Sequence, residues 1–446
     1  MIRVFRVHLP ARTVLLAISE AGLSLALFTA AFFARSGAPW PAFAWGDSLP
    51  RVGAIAAVFL LSMYYYDLYD TAVLKSPREA LTRLPVVAGT TCLVLALLYL
   101  AAPQVRLQVA TVLVGMALAG LAVALVRACF PALARSPRLA ERYVLVGDGP
   151  LAEALKREIE RRPELGIRVA ASLPVESART EKTLEQALVP LSAAGRIAGA
   201  IWAVAGRSPG ALGMAGTRQV DGAHFYEIVT GKLWLDEAGE RSPAPPGVAQ
   251  AEESSRKFWR PVSAAVAFLA LVVCAPLLAA VAVAVRLDSP GPVIFRQKRV
   301  GQHGRTFTLY KFRSMRAGWH GPFRPTQPRD SRLTRAGAWL RRTRLDELPQ
   351  LWNICRGDMG FVGPRPFAWE EERRWAEEIP LYTRRWAVKP GATGWAQVHR
   401  GYCATREDNV EKLAYDLFYV RHGSIGLDLL ILFQTTKILL QRRGAR

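Results

Sequence analysis

Four apolar stretches of membrane-crossing length fill the first third of the chain, at about 14–34, 52–69, 84–102 and 109–130. A helix needs roughly 20 apolar residues to cross a bilayer. Lipid leaves only helices and closed barrels able to satisfy their own backbones. Four such runs in succession are more apolar than the core of a soluble helical domain, so they predict a transmembrane bundle. The first run is too long for a signal peptide and lacks a small-residue cleavage pattern. Cations set the orientation. Arg3, Arg6 and Arg12 precede the first run, Lys75, Arg78 and Arg83 lie between the second and third, and Arg135, Arg138 and Arg142 follow the fourth. The other two loops carry only Arg35 and Arg51, then Arg106. Both ends of the bundle are therefore expected on the cytoplasmic side.

The segment from Arg142, RYVLVGDGPLAEALKREIERR, reads as strand, glycine turn and amphipathic helix. That is the first unit of a Rossmann-like α/β fold. GIRVAASL and GRIAGAIWAV predict further buried parallel strands. Gly147 and Gly149 are present, but Ala152 holds the third glycine position, so scaffold is favoured over dinucleotide binding. From about residue 236 a Pro/Ser/Glu-rich stretch reads as a linker.

A fifth apolar run, at 262–285, contains Pro276. Arg256, Lys257 and Arg260 stand before it, and Arg286, Arg296, Lys298 and Arg299 after it. Neither flank favours translocation, and proline bends a helix. The expectation is a re-entrant helix, about 258–286, that dips into the inner leaflet and returns. The remainder is charged and rich in aromatic residues, Gly and Pro. It predicts a β-hairpin (SPGPVIFRQKRVGQHGRTFTLYKFRSM), a short helix with Leu348, Leu351, Trp352 and Cys355 on one face, and a closing amphipathic helix able to lie on the membrane. The fold class is thus a membrane protein, α plus α/β. It comprises a four-helix transmembrane bundle (1–135), a Rossmann-like middle domain (136–235), a linker (236–255) and a mixed α+β domain with the re-entrant helix (256–446).

The net charge of +22 fits nucleic acid, a membrane surface or phosphorylated small molecules. The apolar runs exclude the first and favour the other two. Five scattered cysteines without CxxC spacing and six scattered histidines argue against a disulfide frame or a His/Cys metal site.

Within RLDELPQ, Asp346 and Glu347 are adjacent and ringed by Arg341, Arg342, Arg344, Arg356 and Arg365. Asp346 fits a helix N-cap, with Pro349 in the first turn. The pair also fits phosphoryl chemistry, with one carboxylate attacking phosphorus, the other holding a metal, and cations neutralising the phosphate. Spacing alone leaves both open.

KFRSM (311–315), RLDELPQLWN (344–353), GDMGFVGPRP (357–366), KPGATGWAQV (389–398) and YDLFYV (415–420) stand in the order and spacing of the bacterial sugar transferase family. The chain from about 255 onward resembles these monotopic phosphoglycosyl transferases. The segments before it resemble the extra domains of the large members that act as undecaprenyl-phosphate glucose or galactose phosphotransferases. The resemblance implies transfer of sugar-1-phosphate from a UDP-sugar to undecaprenyl phosphate with release of UMP, at the start of exopolysaccharide, capsule or O-antigen synthesis. It implies Asp346 as nucleophile forming a covalent phospho-sugar, and Glu347 as ligand of Mg²⁺. Lys311 and Arg365 are expected on phosphates, Asp416 in the active site, Arg313 as a lesser substrate-binding candidate, and Pro276 as the structural bend. The expected partners are the UDP-sugar, undecaprenyl phosphate and membrane lipids, with no nucleic acid and with self-association as a homodimer. The expected place is the bacterial inner membrane, multi-pass, with cytoplasmic soluble domains. Two departures stand out: Ala275 occupies a position often held by serine before the re-entrant proline, and Arg344 one often held by a small polar residue. A membrane nucleotide-sugar dehydratase is disfavoured by the lack of YxxxK anywhere in the sequence. A non-catalytic assembly scaffold gives the adjacent acids no purpose.

Overall fold

The computed structural model describes residues 2–4, 7–36, 48–70, 73–74, 76–135, 140–174, 197–204, 218–235, 248–317, 330–400 and 405–441. Lys75, Arg138, Cys403 and the linker stretch 236–247 lie outside the described residues. The chain divides into two compact units, Met1–Val4 with His8–Gly222, and Phe5–Val7 with Ala223–Arg446.

In the N-terminal unit a short sheet of β1 (Ile2–Val4) and β2 (Val7–Leu9) precedes four long helices. These are α1 (Ala11–Ser36), α2 (Ser48–Tyr65), α3 (Pro77–Ala101) and α4 (Val109–Arg135). Helix α1 packs on α2 and α4, and α3 packs on the same two. Their shared core holds Phe28, Ile55, Phe59, Met63, Val87, Leu95 and Val123. The opposite faces expose Leu15, Leu93, Leu97, Leu100, Leu121 and Leu125. Large apolar side chains on the outside suit lipid as the surrounding solvent. Each of the four helices has the length and hydropathy of a membrane span, as does a fifth in the C-terminal unit.

A buried ion pair lies inside this bundle. The Arg127 guanidinium donates to both oxygens of Glu20, at 2.7 and 2.9 Å, and to the carbonyl of Leu68. It also lies 4.9 Å from the Tyr69 ring centroid.

Four parallel strands follow: β3 (Glu141–Val146), β4 (Ile167–Leu173), β5 (Ile197–Trp202) and β6 (Arg218–Asp221), in the order β4-β3-β5-β6. Helix α5 (Pro150–Arg161) makes the first crossover. Leu151, Ala152, Leu155 and Ile159 form its buried stripe. Ala152 thus serves packing at the position where the fingerprint calls for glycine.

The C-terminal unit contains α6 (Gly222–Thr230) from Ala223 onward and the long helix α7 (Val248–Asp288). A hairpin of β7 (Ile294–Val300) and β8 (Thr306–Phe312) follows, then α8 (Arg335–Thr343), α9 (Gln350–Arg356), β9 (Gly360–Val362) and α10 (Trp369–Glu378). Strand β10 (Gly391–Thr393) pairs in parallel with β9, and α11 (Trp395–His399), α12 (Arg406–His422) and α13 (Ile425–Leu440) complete the chain. Residues 223–235, which the sequence assigns to the middle domain, pack with this unit. The part of the linker at 248–255 is already helical in α7.

Helix α7 contains both Pro261 and Pro276 in one helical span. Midway along it Ala267 packs with Leu309, Ile354 and Met359. Toward its C-terminal end Val281 and Val285 pack with Phe312 and Leu340. Phe268, Leu269, Val272, Val273 and Val283 stay exposed. Helix α13 likewise exposes Ile425, Leu429, Phe433 and Leu440 while burying Leu427 and Ile431.

Removing one member of a buried ion pair leaves the other charged and unpaired, at a cost of about 3–5 kcal/mol. Glu20→Met should therefore sharply lower the detergent melting temperature, and Glu20→Met with Arg127→Met should recover most of it. If the double variant melts no higher than the single one, unpaired charge is not the cause.

Candidate active site

The acidic pair is built by three elements meeting at one turn. The last carbonyls of α7 and the loop after it accept from Arg313, whose guanidinium donates to Val285 (3.2 Å), Ser289 (2.6 Å) and Pro290. Asp288, the last residue of α7, accepts from the Ala336 amide of α8 at 2.9 Å. Thr334 caps α8 by accepting from the Gly337 amide at 3.0 Å. Position 337 must be glycine, because a Cβ there would collide with the backbone of Ser314. Helix α8 ends at Arg344, which is left-handed (φ 56°), and this reverses the chain into a tight turn, Leu345–Glu347.

From the other side Asn353 latches α9 to β8. It accepts from the Tyr310 amide at 3.1 Å and donates to the Thr308 carbonyl at 2.7 Å and to Asp358 at 3.1 Å. The buried face of α9 is therefore Gln350, Asn353 and Ile354. The expected stripe is corrected at Trp352, which is 51% exposed, because the buried side is chosen by the asparagine's bonds to the strand. That latch brings Lys311 of β8 beside the turn.

Glu347 carries the densest contacts. Its Oε1 accepts from Arg365 at 2.5 Å and from Lys311 at 3.3 Å, with Arg344 at 4.0 Å. Burial alone would raise its carboxyl, and Arg365, Lys311 and Arg344 outweigh that, holding it well below the usual carboxylate range. Asp346 differs. It is 7% exposed, and no hydrogen bond or ion pair joins its carboxylate among the described residues. Burial, then the charge of Glu347, push its carboxyl up, against Lys311, Arg341 and Arg365. Neither the turn nor α9 has a side-chain cap, so the N-cap reading of Asp346 fails. Two adjacent carboxylates pushed in opposite directions are the mark of divided roles.

Lys311 and Arg365 thus meet the pair directly. Arg313 does not; its guanidinium is committed to the carbonyls at the end of α7. Asp416 is 2% exposed and stands one step back. It accepts from Arg385 at 2.9 and 3.0 Å. Arg385 in turn donates to Glu372 at 2.6 Å and to the Arg365 carbonyl at 2.8 Å. Asp416 therefore fixes the loop that carries Arg365. Sequence reasoning missed Arg385 and Glu372, since nothing in YTRRW or WEEERRW distinguishes a buried charge from a solvated one. It also missed the placement of Arg299, which donates to Pro366 at 3.0 Å and whose guanidinium is lowered to about 10 by burial and then Arg365.

Among the described residues no three acidic, histidine or cysteine side chains converge as a metal cage. Magnesium needs none, because it takes one or two carboxylates and fills its octahedron with phosphate oxygens and water. The expected ligand, Glu347, has Lys311 and Arg365 on its Oε1.

A family profile described as bacterial sugar transferase matches residues 255–442. The UDP-N-acetylgalactosamine-undecaprenyl-phosphate N-acetylgalactosaminephosphotransferase of Aeromonas hydrophila is 44% identical over 186 residues, 40% of this chain and 43% of that protein. The UDP-glucose:undecaprenyl-phosphate glucose-1-phosphate transferase of Escherichia coli (strain K12) is 44% identical over 173 residues, 38% of this chain and 37% of that one. The matched segment spans less than half the length of both. The exopolysaccharide production protein PSS of Rhizobium leguminosarum bv. phaseoli is 43% identical over 173 residues, 37% of this chain and 86% of its own length. On the profile and on these identities, the chain belongs to the bacterial sugar transferase family.

Proposed function

We propose that the chain transfers a sugar-1-phosphate from a UDP-sugar to undecaprenyl phosphate, giving undecaprenyl-diphospho-sugar and UMP. UDP-glucose and UDP-galactose are the expected donors, and the name of the Aeromonas relative adds UDP-N-acetylgalactosamine. The observation that carries the reading is the contrast within the pair: Glu347 is held by three cations, while Asp346 is buried without an ion pair among the described residues. A poorly solvated carboxylate is the better nucleophile. Cations within 4 Å of its neighbour are positioned to neutralise the phosphates it must approach.

In the first step an oxygen of Asp346 bonds to the β-phosphorus of the UDP-sugar. The bond from that phosphorus to the bridging oxygen breaks, and UMP leaves with the electron pair. In the second, an oxygen of undecaprenyl phosphate attacks the same phosphorus and the acyl-phosphate bond breaks, restoring the carboxylate. Lys311 and Arg365 neutralise the diphosphate during both displacements. Glu347 would hold Mg²⁺, which when bound supplies further neutralisation of phosphate charge.

The acceptor is a lipid, so the site must sit at a membrane surface. Both ends of the apolar run 262–285 of α7 pack on the same soluble unit, through Ala267 and through Val281 and Val285. A helix crossing to the far side would carry one end away from that unit, which supports a re-entrant helix in the inner leaflet. The exposed apolar face of α13 fits the same surface. Four crossings, cytoplasmic soluble parts and the inner membrane complete the reading.

Three outcomes test it. Asp346→Asn should abolish UMP release from a panel of UDP-sugars with undecaprenyl phosphate and Mg²⁺. Wild type without acceptor should gain one phospho-hexose on the peptide bearing Asp346, and wild-type rates in Asp346→Asn would overturn the mechanism. The second outcome is pH-dependent. A carboxyl raised above its ordinary value of 3.8 destabilises the folded state when ionised, and this penalty vanishes once pH falls below the unfolded value. Asp346→Asn should therefore melt above wild type at neutral pH, with the gap closing below pH ~4. The acid limb of the first step should lie above the ordinary aspartate range. A variant that melts lower at neutral pH would contradict the shift. Third, a cysteine engineered at Gln302 should escape labelling from the periplasm, and efficient labelling there would exclude the re-entrant arrangement.

A further inference from the structure

Residues 223–235 lie outside the matched segment 255–442, yet they pack into the C-terminal unit. The contacts are specific. In α6, Glu227 is 3% exposed and accepts from Arg421 at 2.6 Å, with the His422 ring nitrogen at 3.0 Å. Beyond α6 the Gly231 carbonyl accepts from the Trp395 indole at 2.6 Å. Gly231 is left-handed (φ 69°) and lies against that ring, so only glycine fits the turn without strain. Lys232 pairs with Glu411 at 2.9 Å. The Leu233 amide donates to the Ala414 carbonyl at 3.0 Å, and its side chain joins the core of Trp375, Tyr382, Leu413 and Phe418.

All of these partners except Trp395, Trp375 and Tyr382 lie on α12, the helix that carries Asp416. From Asp416 a continuous chain of contacts runs through Arg385 to the Arg365 carbonyl, and from the Arg365 guanidinium to Glu347. The segment thus holds one side of α12 while Arg385 holds the other. The match to the PSS relative covers 86% of its length and 37% of this chain.

We infer that residues 223–235 form a positioning strap of the catalytic unit: docked on α12 through Glu227, Lys232 and Leu233, they set Asp416 and Arg385 and thereby the Arg365 clamp on Glu347. Since β6 ends at Asp221 and α6 begins at Gly222, the strap is also the covalent continuation of the parallel sheet. Displacement of the strap then alters turnover without touching Asp346 or Glu347.

The inference about turnover rests on the proposed transfer, whereas docking is read independently of it. Hydrogen exchange on the full chain in lipid nanodiscs should show 223–235 protected together with α12, with the Leu233 amide among the slow sites. Exchange at the rate of an unprotected peptide would overturn the docking. In kinetics, Glu227→Gln combined with Lys232→Met should lower kcat for UMP release about tenfold, with KM for the UDP-sugar within about twofold of wild type. Assay temperatures are set well below the variant's own melting point. Lys232→Arg, which keeps the pair with Glu411, should restore the rate in the Glu227 wild-type background. An unchanged kcat in a double variant that has lost protection at 223–235 would reduce the strap to a stability element and refute its positioning role. Absence of UMP release in wild type would instead count against the proposed transfer, leaving the exchange result to stand or fall alone.

Discussion

The site is organised around a carboxylate that is expensive to bury. Glu347 is partly withdrawn from water, its side chain 19% exposed, and the attraction of Arg365 and Lys311 offsets the cost of that desolvation. That requirement fixes much of the catalytic unit. Lys311 must be on β8 and β8 must be latched to α9, which is the work of Asn353. Arg365 must present its guanidinium inward from an irregular loop, which needs a support for that loop's backbone; Arg385 provides it, and Glu372 and Asp416 hold Arg385. One ion cluster thus draws in a second, so that Glu347, Glu372 and Asp416 are satisfied by Lys311, Arg365 and Arg385 only because each of the others is placed.

Asp346 is the beneficiary. Its neighbour absorbs the cations, and Asp346 is left buried with like charge beside it. A carboxylate in this state is held at a cost to the fold, which is where functional sites commonly store strain. The same arrangement explains why the two acids are adjacent in sequence. A tight turn entered through left-handed Arg344 aims consecutive side chains at different partners, which a regular helix spreads by only 100° or so.

The membrane runs, the parallel α/β unit and the acidic pair were legible in the sequence because each rests on local pattern: run length, strand–turn–helix order and charge adjacency. Lys311 and Arg365 were reached through motif resemblance rather than spacing. What stayed hidden depends on tertiary burial. Arg385 and Arg384 are neighbours of the same type, and only the fold makes the first 3% exposed and the centre of a network. Arg313 is of the same kind: a lesser substrate-binding candidate by its motif, its guanidinium donates to the carbonyls at the end of α7. Residues 223–235 follow a strand in the sequence and look like its continuation, but their side-chain hydrogen-bond partners lie 164 to 195 residues downstream.

The Glu20–Arg127 pair has a consequence for how the bundle comes into being. The two residues are separated by 107 positions, so during synthesis α1 enters the membrane long before its partner exists. A lone charged side chain in a spanning helix costs about 2.5–3.5 kcal/mol on insertion, and α1 carries that burden until α4 arrives. The bundle therefore becomes a settled structure only on delivery of its last helix. A chain interrupted before α4 lacks the Arg127 guanidinium that both oxygens of Glu20 accept from.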